Sequence, residues 1–265
     1  MEVLAKTKVP IVKFVTSHGR ISVDISVNQL NGIRAAGIIK GFVEELPAVK
    51  PLVLIVKSFL NQRNMNEVFT GGLGSYSIVC MVTNFLQVSN HPMMTDGTMT
   101  ITHQILQMHP KIRRCAIDPM ENLGVLLVEF FETYGRFFQY DQVGISLRNG
   151  GHYLNKRSQG WSNPSSPFLL TIEDPQDPLN DVSGGSFGFM RVKHTLQGAF
   201  EVLGAALCLR GSAMLQRRHD PHDGRSSDEM SLLGSIMGVT PEVNVVHTPS
   251  MDYADVSKRR YPNAD

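Results

Sequence analysis

The stretch TGGLGSYS, residues 70–77, is the first segment of the sequence whose residue types could bind a ligand. Its glycines let the backbone approach a bound group closely, and a helix that begins near Ser75 would present N–H groups to a phosphate. It is neither a dinucleotide fingerprint nor a Walker loop, because it lacks both the GxGxxG spacing and a following GK[ST]. Taken alone, the stretch is either a phosphate-binding loop or an ordinary turn at the start of a helix.

Three single residues have side chains that could also take part in chemistry. Lys57 is the one charge inside an apolar run, so it either neutralises phosphate or extends its ammonium group into solvent. Tyr76 either stacks on a base or packs at the helix start. Asp24 alternates with apolar residues, so it is either a catalytic carboxylate or a solvated acid on the polar face of a strand.

The stretch EDPQDPLND, residues 173–181, is dense in hydrogen-bonding side chains. Aspartate, asparagine and proline are also typical turn residues, so the same composition fits an exposed loop bounded by prolines. The residue types alone leave both interpretations open, a recognition loop and a plain surface loop.

Two strands and a helix must position Asp24. Apolar runs at 11–15 and 21–27 flank the turn sequence SHGR, which predicts an antiparallel hairpin. From Asn31 onward the apolar residues follow helical spacing until Pro47, which predicts an amphipathic helix.

Periodicity also predicts the elements that carry the other candidates. Lys57 lies in a helix opened by Pro51, and Ser75 begins a long apolar helix. The dipeptide Asn149-Gly150 predicts a second hairpin. Other patterned runs predict helices at 121–138 and about 187–209, a short strand at 168–172, and a short last helix in SLLGSIMGV.

Charge balance and cysteine spacing exclude several classes of protein. The 25 basic and 24 acidic residues give a net charge of +1, so contact with nucleic acid must come from a local patch. The three cysteines are widely spaced and form neither a disulfide framework nor a zinc pattern, which favours a reducing compartment. No apolar run is long enough for a membrane span, and the N-terminus lacks the apolar core of an export signal.

In their order along the chain, several motifs resemble those of one family. They are VPIVKF, VDIS, PLVLIVKSFLNQRNMNEVFTGGLGSYS, NLGVLLVEFFETYG and IEDPQDPLNDV. They are similar to the noncanonical poly(A) polymerases of the TRAMP type, once called DNA polymerase sigma, which are DNA polymerase beta-like nucleotidyltransferases. The resemblance extends from about Val3 to Leu209.

The resemblance implies an α+β fold in three parts. Residues 1–46 would be a partial nucleotidyltransferase palm, made of an antiparallel hairpin and a helix and lacking its first part. Residues 47–212 would be a mostly helical central domain with short strands and a nucleotide recognition loop at 173–181. Residues 213–265 would be a C-terminal loop, a short helix and a flexible tail.

The resemblance also implies a role for each candidate residue. Asp24 matches the third metal-site carboxylate of the palm, which would help activate the RNA 3′-hydroxyl near Mg²⁺ or Mn²⁺. Lys57 and Ser75 match residues that contact the triphosphate, and Tyr76 matches the aromatic residue on which the incoming base stacks. Asn31 matches an asparagine near the sugar.

Within the recognition loop, Asp174, Asp177 and Asn180 match the motif that reads the edge of the base. Uridylyl-adding relatives carry histidine at the position of Asn180, so the resemblance favours ATP as the substrate. A side-chain amide is both a donor and an acceptor, as the N6 and N1 edge of adenine requires.

The sequence departs from the family pattern at one important place. It contains no Asp-x-Asp pair, which in relatives follows a Gly-Ser signature and precedes the strand that bears the third acid. Since only 23 residues precede Asp24, we expect an N-terminally truncated polymerase. One carboxylate cannot gather Mg²⁺ in near-octahedral geometry, so the chain alone is expected to be inactive.

The complete enzyme would add adenylates from ATP to RNA 3′ ends by two-metal catalysis, in nuclear RNA processing and surveillance. The expected partners are RNA 3′ ends, ATP, and the zinc-knuckle RNA-binding protein and RNA helicase of a TRAMP-like complex. The alternative function is that of a noncatalytic module that binds nucleotide, RNA or a partner protein.

Overall fold

The computed structural model describes residues 2–4, 10–26, 31–90, 123–219 and 232–237. Within them the chain is an α+β protein, as expected: a three-stranded sheet and a helix come first, and a helical core with a two-stranded sheet follows. Val27, the loop after His91 and most of the predicted tail lie outside the described residues.

The first sheet contains the predicted hairpin and one further strand. Strands β1 (Glu2–Leu4), β2 (Ile11–Val15) and β3 (Ser22–Ser26) pair antiparallel in the order β1-β2-β3. The register places Asp24 opposite Lys13. The predicted hairpin is therefore confirmed. Strand β1 was not predicted, because three residues are too few to show a strand pattern.

The turn between β2 and β3 is closed by its own polar groups. The Thr16 backbone N–H donates to the Ile21 carbonyl (2.9 Å), and the Ile21 N–H donates to the Thr16 hydroxyl (3.0 Å). Gly19 and Arg20 have φ values of +75° and +51°, in the left-handed region that glycine enters without steric cost. This turn fixes the register that sets Asp24 against Lys13.

Five helices form where helical spacing or a glycine-rich start predicted them. Their bounds are α1 (Asn31–Glu45), α2 (Val49–Asn61), α3 (Ser75–Asn90), α4 (Leu123–Glu132) and α5 (Phe189–His219). Helix α2 begins two residues before Pro51, because proline is tolerated in a first turn whose N–H groups have no intrahelical acceptor. Among the described residues, no helix is both long and apolar enough to cross a membrane.

Helix α5 is longer than predicted. It continues ten residues past the predicted end at Leu209 and reaches His219. The sequence SAMLQRR in this extension contains good helix formers and no proline, so its polarity did not end the helix. The C-terminal loop expected from residue 213 is therefore wrong for residues 213–219, which are helical.

The second sheet is the hairpin that Asn149-Gly150 predicted. Strands β4 (Val143–Ser146) and β5 (His152–Asn155) pair antiparallel, and both turn residues have left-handed φ values, +52° and +81°. Such values are what a tight hairpin turn requires. The hairpin is confirmed.

The predicted third strand at 168–172 forms only a single bridge. Ile172 pairs with Ile145 in parallel, and the Ile145 N–H donates to the Thr171 carbonyl (2.9 Å). The chain then leaves the sheet at Pro175, which has no N–H to continue the ladder. The strand prediction is wrong in length, although the segment does reach the sheet.

Aromatic side chains run through the core that α2, α3, α4 and α5 enclose. Successive ring centroids lie 4.7 to 6.0 Å apart, and such pairs contribute about 0.5–1.5 kcal/mol each beyond burial. The buried Tyr134 hydroxyl donates to the Met81 carbonyl (3.1 Å), and the Tyr140 hydroxyl donates to the Tyr134 carbonyl (2.6 Å). The rings in this series are Phe59, Phe130, Phe131, Tyr134, Phe138, Tyr140 and Phe189.

A buried lysine ties β5 to the segment that leads to the recognition loop. Lys156 is 2% exposed, and its ammonium group donates to the carbonyls of Tyr140, Pro167 and Leu169. Burial lowers the pKa of Lys156. No local pattern in the sequence indicates this role, because all three acceptors are backbone carbonyls of other segments.

Helix α4 continues into a wide π turn, Thr133–Phe137, that brings it against α5. Gly135 in this turn approaches α5 so closely that a Cβ atom would lie 2.6 Å from the Gln197 nitrogen. Because backbone cannot yield like the end of a flexible side chain, the crossing of α4 and α5 requires glycine here.

We expect Gly135→Ala to lower the free energy of unfolding by about 1–3 kcal/mol through overpacking. Urea unfolding followed by circular dichroism measures the change. The matched control is Gly198→Ala on α5, where a Cβ atom meets nothing within 4 Å, and where alanine should be stabilising by about 0.5–1 kcal/mol. Equal effects of the two substitutions would contradict the close crossing.

Candidate functional site

The glycine-rich stretch forms a compact turn that delivers the chain to the start of α3. A single 3-10 turn (Val68–Thr70) is followed by Gly71 with φ +84°. The Gly72 N–H donates to the Glu67 carbonyl, and the Leu73 N–H donates to the Met65 carbonyl, both at 2.9 Å. The turn is thus closed by its own backbone.

Ser75 is the first residue of α3 and is exposed, as the sequence predicted. The first N–H groups of a helix have no intrahelical acceptor and carry part of the positive end of the helix dipole. The start of α3 can therefore bind an anion such as a phosphate group.

The glycine turn packs directly on the segment before α5. The Gly188 N–H donates to the Gly71 carbonyl (3.0 Å), and a Cβ atom at Gly71 would lie 2.7 Å from the Gly188 nitrogen. A Cβ atom at Gly72 would lie 2.4 Å from the Met65 carbonyl oxygen. These two glycines are required because backbone meets backbone on both sides.

Tyr76 lies against the recognition loop. Its hydroxyl is shielded from solvent near Gln176 and Asp174, although no described residue gives it a well-formed hydrogen bond. Burial raises the pKa of Tyr76 to about 12, with smaller contributions from the charges of Cys80 and Asp174. The phenol is therefore neutral at physiological pH. Because Tyr76 is only half-buried, part of its ring remains accessible to a ligand.

Asp174 closes the recognition loop on itself. Its Oδ1 accepts from the Gln176 N–H and its Oδ2 accepts from Asn180 Nδ2, both at 2.9 Å. The Asp174 N–H also donates to the Asn180 carbonyl (3.0 Å). Within the described part of the chain the Asn180 side-chain oxygen has no donor, so it remains an acceptor for a ligand. Asp177 is exposed and accepts from the Leu179 N–H (3.1 Å).

Asp181 holds the base of the loop, a role that sequence reasoning missed. Its Oδ1 accepts from the Ile172 N–H (3.0 Å), the Ser183 N–H (2.9 Å) and the Ser183 hydroxyl (2.7 Å). An aspartate two residues before a serine is a known turn pattern, so the spacing offered a weak signal. The contact with Ile172 joins residues nine positions apart, and no pattern in the sequence indicated it.

Helix α3 carries the polar contacts that dock this loop. The Ser77 hydroxyl donates to the Val182 carbonyl (3.4 Å), and Asn84 Nδ2 donates to the Ser146 carbonyl (2.8 Å). Between them lies buried Cys80, whose pKa is raised to about 12 by burial and by the charge of Asp174. The Ser77 contact therefore fixes the end of the loop relative to α3, the helix whose N-terminus can bind an anion.

A buried carboxylate joins the loop to β4. Glu173 is 8% exposed and accepts a short hydrogen bond from the Ser146 hydroxyl, while Arg148 lies 4.0 Å from its other oxygen. The Glu173 N–H donates to the Ile145 carbonyl (2.9 Å). These contacts fix the point at which the loop leaves the sheet.

The other predicted site residues lie on separate elements. Asp24 on β3 is half-exposed and forms an ion pair with Lys13 (3.6 Å). Asn31 is the first residue of α1 and Lys57 lies on α2, and both are exposed. Across the described ranges, no hydrogen bond or ion pair joins Asp24 to Asn31, Lys57 or Tyr76, so their predicted shared role stays a prediction.

A magnesium site does not form from the described residues alone. Among them, no group of three or more histidine, cysteine, aspartate or glutamate side chains could hold a metal ion. Mg²⁺ prefers several oxygen ligands in near-octahedral arrangement. Asp24 offers one carboxylate that is already paired with an ammonium group, so the residues present do not fit the ion.

Two family models match the chain. The model described as Cid1 family poly A polymerase matches residues 122–180. The model described as the central palm domain of mitochondrial-like poly(A) RNA polymerase matches residues 1–44.

Similar proteins in fungi are poly(A) RNA polymerases. Poly(A) RNA polymerase CID14 of Cryptococcus neoformans is 49% identical over 91% of this chain, and cid14 of Schizosaccharomyces pombe is 41% identical over 90% of it. The chain spans 29% and 31% of the length of these two proteins.

Solved structures of related polymerases have a similar fold. The polymerase core of TRAMP, an RNA surveillance complex, is 38% identical with a TM-score of 0.66, covering 90% of this chain and 65% of that one. A histidine-to-asparagine mutant of the Cid1 poly(U) polymerase bound to MgATP is 25% identical with a TM-score of 0.54, covering 77% of this chain and 67% of that one.

We expect Asp181→Ala to lower the free energy of unfolding by about 2–4 kcal/mol, because it leaves partly buried donors without their acceptor. Chemical denaturation measures the change. The control is Asp177→Ala, which removes one exposed contact and should change stability by no more than about 0.5 kcal/mol. An equally small effect at both positions would show that Asp181 does not hold the loop.

Proposed function

Because this chain belongs to the Cid14-type family of noncanonical poly(A) RNA polymerases, we propose that it supplies the nucleotide-binding part of an RNA 3′-adenylyltransferase. Its fold is the polymerase-beta-like nucleotidyltransferase fold of its structural neighbours. Residues 1–46 would be part of the palm and residues 47–212 the central domain. The activity of the whole enzyme is part of this proposal, since the chain spans about a third of its relatives.

The observation that carries the proposal is the contact of Tyr76 with the loop closed by Asp174 and Asn180, directly beside the start of α3. A triphosphate at the start of α3 would place its base over the Tyr76 ring. Ser75 and the exposed ammonium group of Lys57 would then contact phosphate oxygens. Asn31, near the sugar, completes the proposed nucleotide site.

Asn180 is the proposed selector of ATP. One of the two N–H groups of its amide donates to Asp174, which orients the side chain and leaves its oxygen to accept a hydrogen bond from the base. The N6 amino group of adenine donates at the corresponding edge, whereas uracil presents a carbonyl oxygen at its O4. A histidine-to-asparagine mutant of the Cid1 poly(U) polymerase has been solved with MgATP bound, so asparagine in a related polymerase is compatible with bound ATP.

We propose that the chain alone binds ATP without transferring adenylate. Divalent metal ions accompany nucleotide in neighbouring structures, but the described residues offer Asp24 alone, and the sequence contains no Asp-x-Asp pair. Asp24 would act as one of several metal-holding carboxylates, so no catalytic step is assigned to it here. Taken by itself, the chain would then act as a nucleotide-binding module.

The match to the TRAMP polymerase core supports a TRAMP-like assembly for the whole protein. We propose that it acts in the nucleus on RNA 3′ ends, with a zinc-knuckle RNA-binding protein and an RNA helicase as partners. Adenylation there would mark RNA for trimming or decay.

ATP with Mg²⁺ should stabilise the purified chain, by about 2.7 kcal/mol when ATP is at 100 times its dissociation constant. Tyr76→Ala should abolish this stabilisation because the base loses its stacking surface. Tyr76→Phe is the matched control, since it keeps the ring, and should retain it. Thermal denaturation with and without ATP measures the effect.

The same preparation, incubated with ATP, Mg²⁺ and an RNA primer, should leave the primer unextended. Extension that Asp24→Asn abolishes would contradict the proposal that the chain alone is inactive. Absence of ATP stabilisation in the wild-type chain would contradict the nucleotide site itself.

Asn180→His should shift the nucleotide preference from ATP toward UTP. Imidazole can donate to the uracil O4 carbonyl, whereas asparagine held by Asp174 accepts from adenine. Stabilisation by ATP and by UTP is measured for both proteins, with Leu179→Ala, at an 89% exposed position of the loop, as the loop control. An unchanged ratio of the two nucleotides would show that Asn180 does not read the base.

A further inference from the structure

The geometry points to a stacking platform for the RNA primer, made of Phe69 and Phe187 with Arg191 beside them. The platform would hold bases upstream of the 3′ end, while the end itself reaches the nucleotide. The platform rests on the proposed function, because an RNA 3′ end that reacts with a nucleotide at the start of α3 would have to pass the glycine turn. The ligand class is single-stranded RNA.

Both phenylalanine rings are unusually exposed. Phe69 is 94% exposed and Phe187 is 69% exposed. An exposed phenylalanine contributes no burial to stability, and one such residue by itself is normal on a protein surface. Here two of them lie on adjoining segments, which is typical of a binding surface.

The backbone beneath each ring is fixed. Phe69 lies in the 3-10 turn in which the Thr70 and Gly71 N–H groups donate to carbonyls of Glu67 and Val68 (3.2 and 2.9 Å). Phe187 is followed by the Gly188 N–H that donates to the Gly71 carbonyl (3.0 Å). Rings on a rigid backbone lose little conformational freedom on binding, which favours stacking.

The platform adjoins the proposed triphosphate site. A Cβ atom at Gly71 would lie 2.8 Å from the Phe187 ring, so this ring lies directly on the glycine turn. A Cβ atom at Gly74, the residue before α3, would lie 3.0 Å from Val68. Phe187 therefore lies on the glycine turn that leads to Ser75, and Phe69 comes two residues before Gly71 in the same turn.

Arg191 supplies the charge that a nucleic-acid strand requires. It is exposed on the first turn of α5 and lines a cavity of about 10 Å³ together with Gly71 and Gly188. Aromatic rings for bases next to a cation for the backbone are the usual means of binding single-stranded nucleic acid. That combination favours RNA over an apolar segment of a partner protein.

The test measures binding of a fluorescein-labelled ten-nucleotide oligo(A) to the full 265-residue chain by fluorescence anisotropy. Phe69→Leu should weaken binding by roughly five- to tenfold, while Phe69→Trp should preserve it, because stacking needs an aromatic face. Phe69 is almost wholly exposed, so neither substitution should affect folding. Phe168→Leu, at a 52% exposed position away from this turn, should change affinity less than about twofold.

Salt dependence provides a second measurement. Arg191→Gln should reduce the slope of log affinity against log salt concentration by about one, as expected for the loss of one phosphate contact. Phe187→Leu should weaken binding with the slope unchanged.

Three results would overturn the platform: no oligo(A) binding by the wild-type chain, equal affinity of Phe69→Leu and wild type, or equal losses for the leucine and tryptophan variants. ATP stabilisation is measured in parallel on every variant. If ATP stabilises the chain but oligo(A) binding is insensitive to Phe69, the platform fails and the nucleotide site stands. If ATP itself does not stabilise the wild type, the proposed function fails.

Discussion

The described structure depends on one close approach of backbone to backbone. The Gly71 carbonyl accepts from the Gly188 N–H at 3.0 Å, with no side chain between the two segments. This contact joins the turn before α3 to the turn before α5, so the N-termini of two helices are held beside each other. Packing of both helices into one core and the position of the candidate site follow from that constraint, which glycine alone satisfies.

Polar side chains along one face of helix α3 connect its fixed N-terminus to the rest of the site. Ser77, Cys80, Asn84 and Gln87 recur at spacings of three and four residues, which places them on one face. That face meets the recognition loop near α3's N-terminus and the β4-β5 hairpin farther along, where Gln87 Nε2 donates to the Leu147 carbonyl (3.3 Å). Buried polar contacts are costly unless satisfied, so they favour a single docking position of the loop over many. A recognition loop with one docking position is suited to selecting one base.

The sequence predicted what is local and missed what is long-range. Helical spacing located the helices, Asn149-Gly150 located a hairpin, and glycines located the start of α3, because each signal lies within a few residues of its effect. Helix α5 ran past its predicted end because its polar extension still contains good helix formers. Residues 168–172 formed a bridge instead of a strand because pairing with a distant segment decides how far a strand extends. Asp174 and Asn180 were identified from the order of family motifs, yet their mutual hydrogen bond was not visible in the chain. The buried roles of Glu173, Asp181 and Lys156 were missed because their partners are far apart in sequence or are backbone atoms.

Lys156 offers a way to observe, in solution, how the base of the recognition loop opens. Its amine is enclosed by three carbonyl groups at 2% exposure, so an amine-reactive reagent can reach it only when the β5 segment and residues 167–169 separate. Burial lowers the pKa of Lys156, and because opening removes that burial, the released amine reacts as an ordinary exposed lysine does. The rate at which Lys156 is labelled therefore measures how often the base of the recognition loop opens locally. Lysines exposed on the surface need no such opening and react faster.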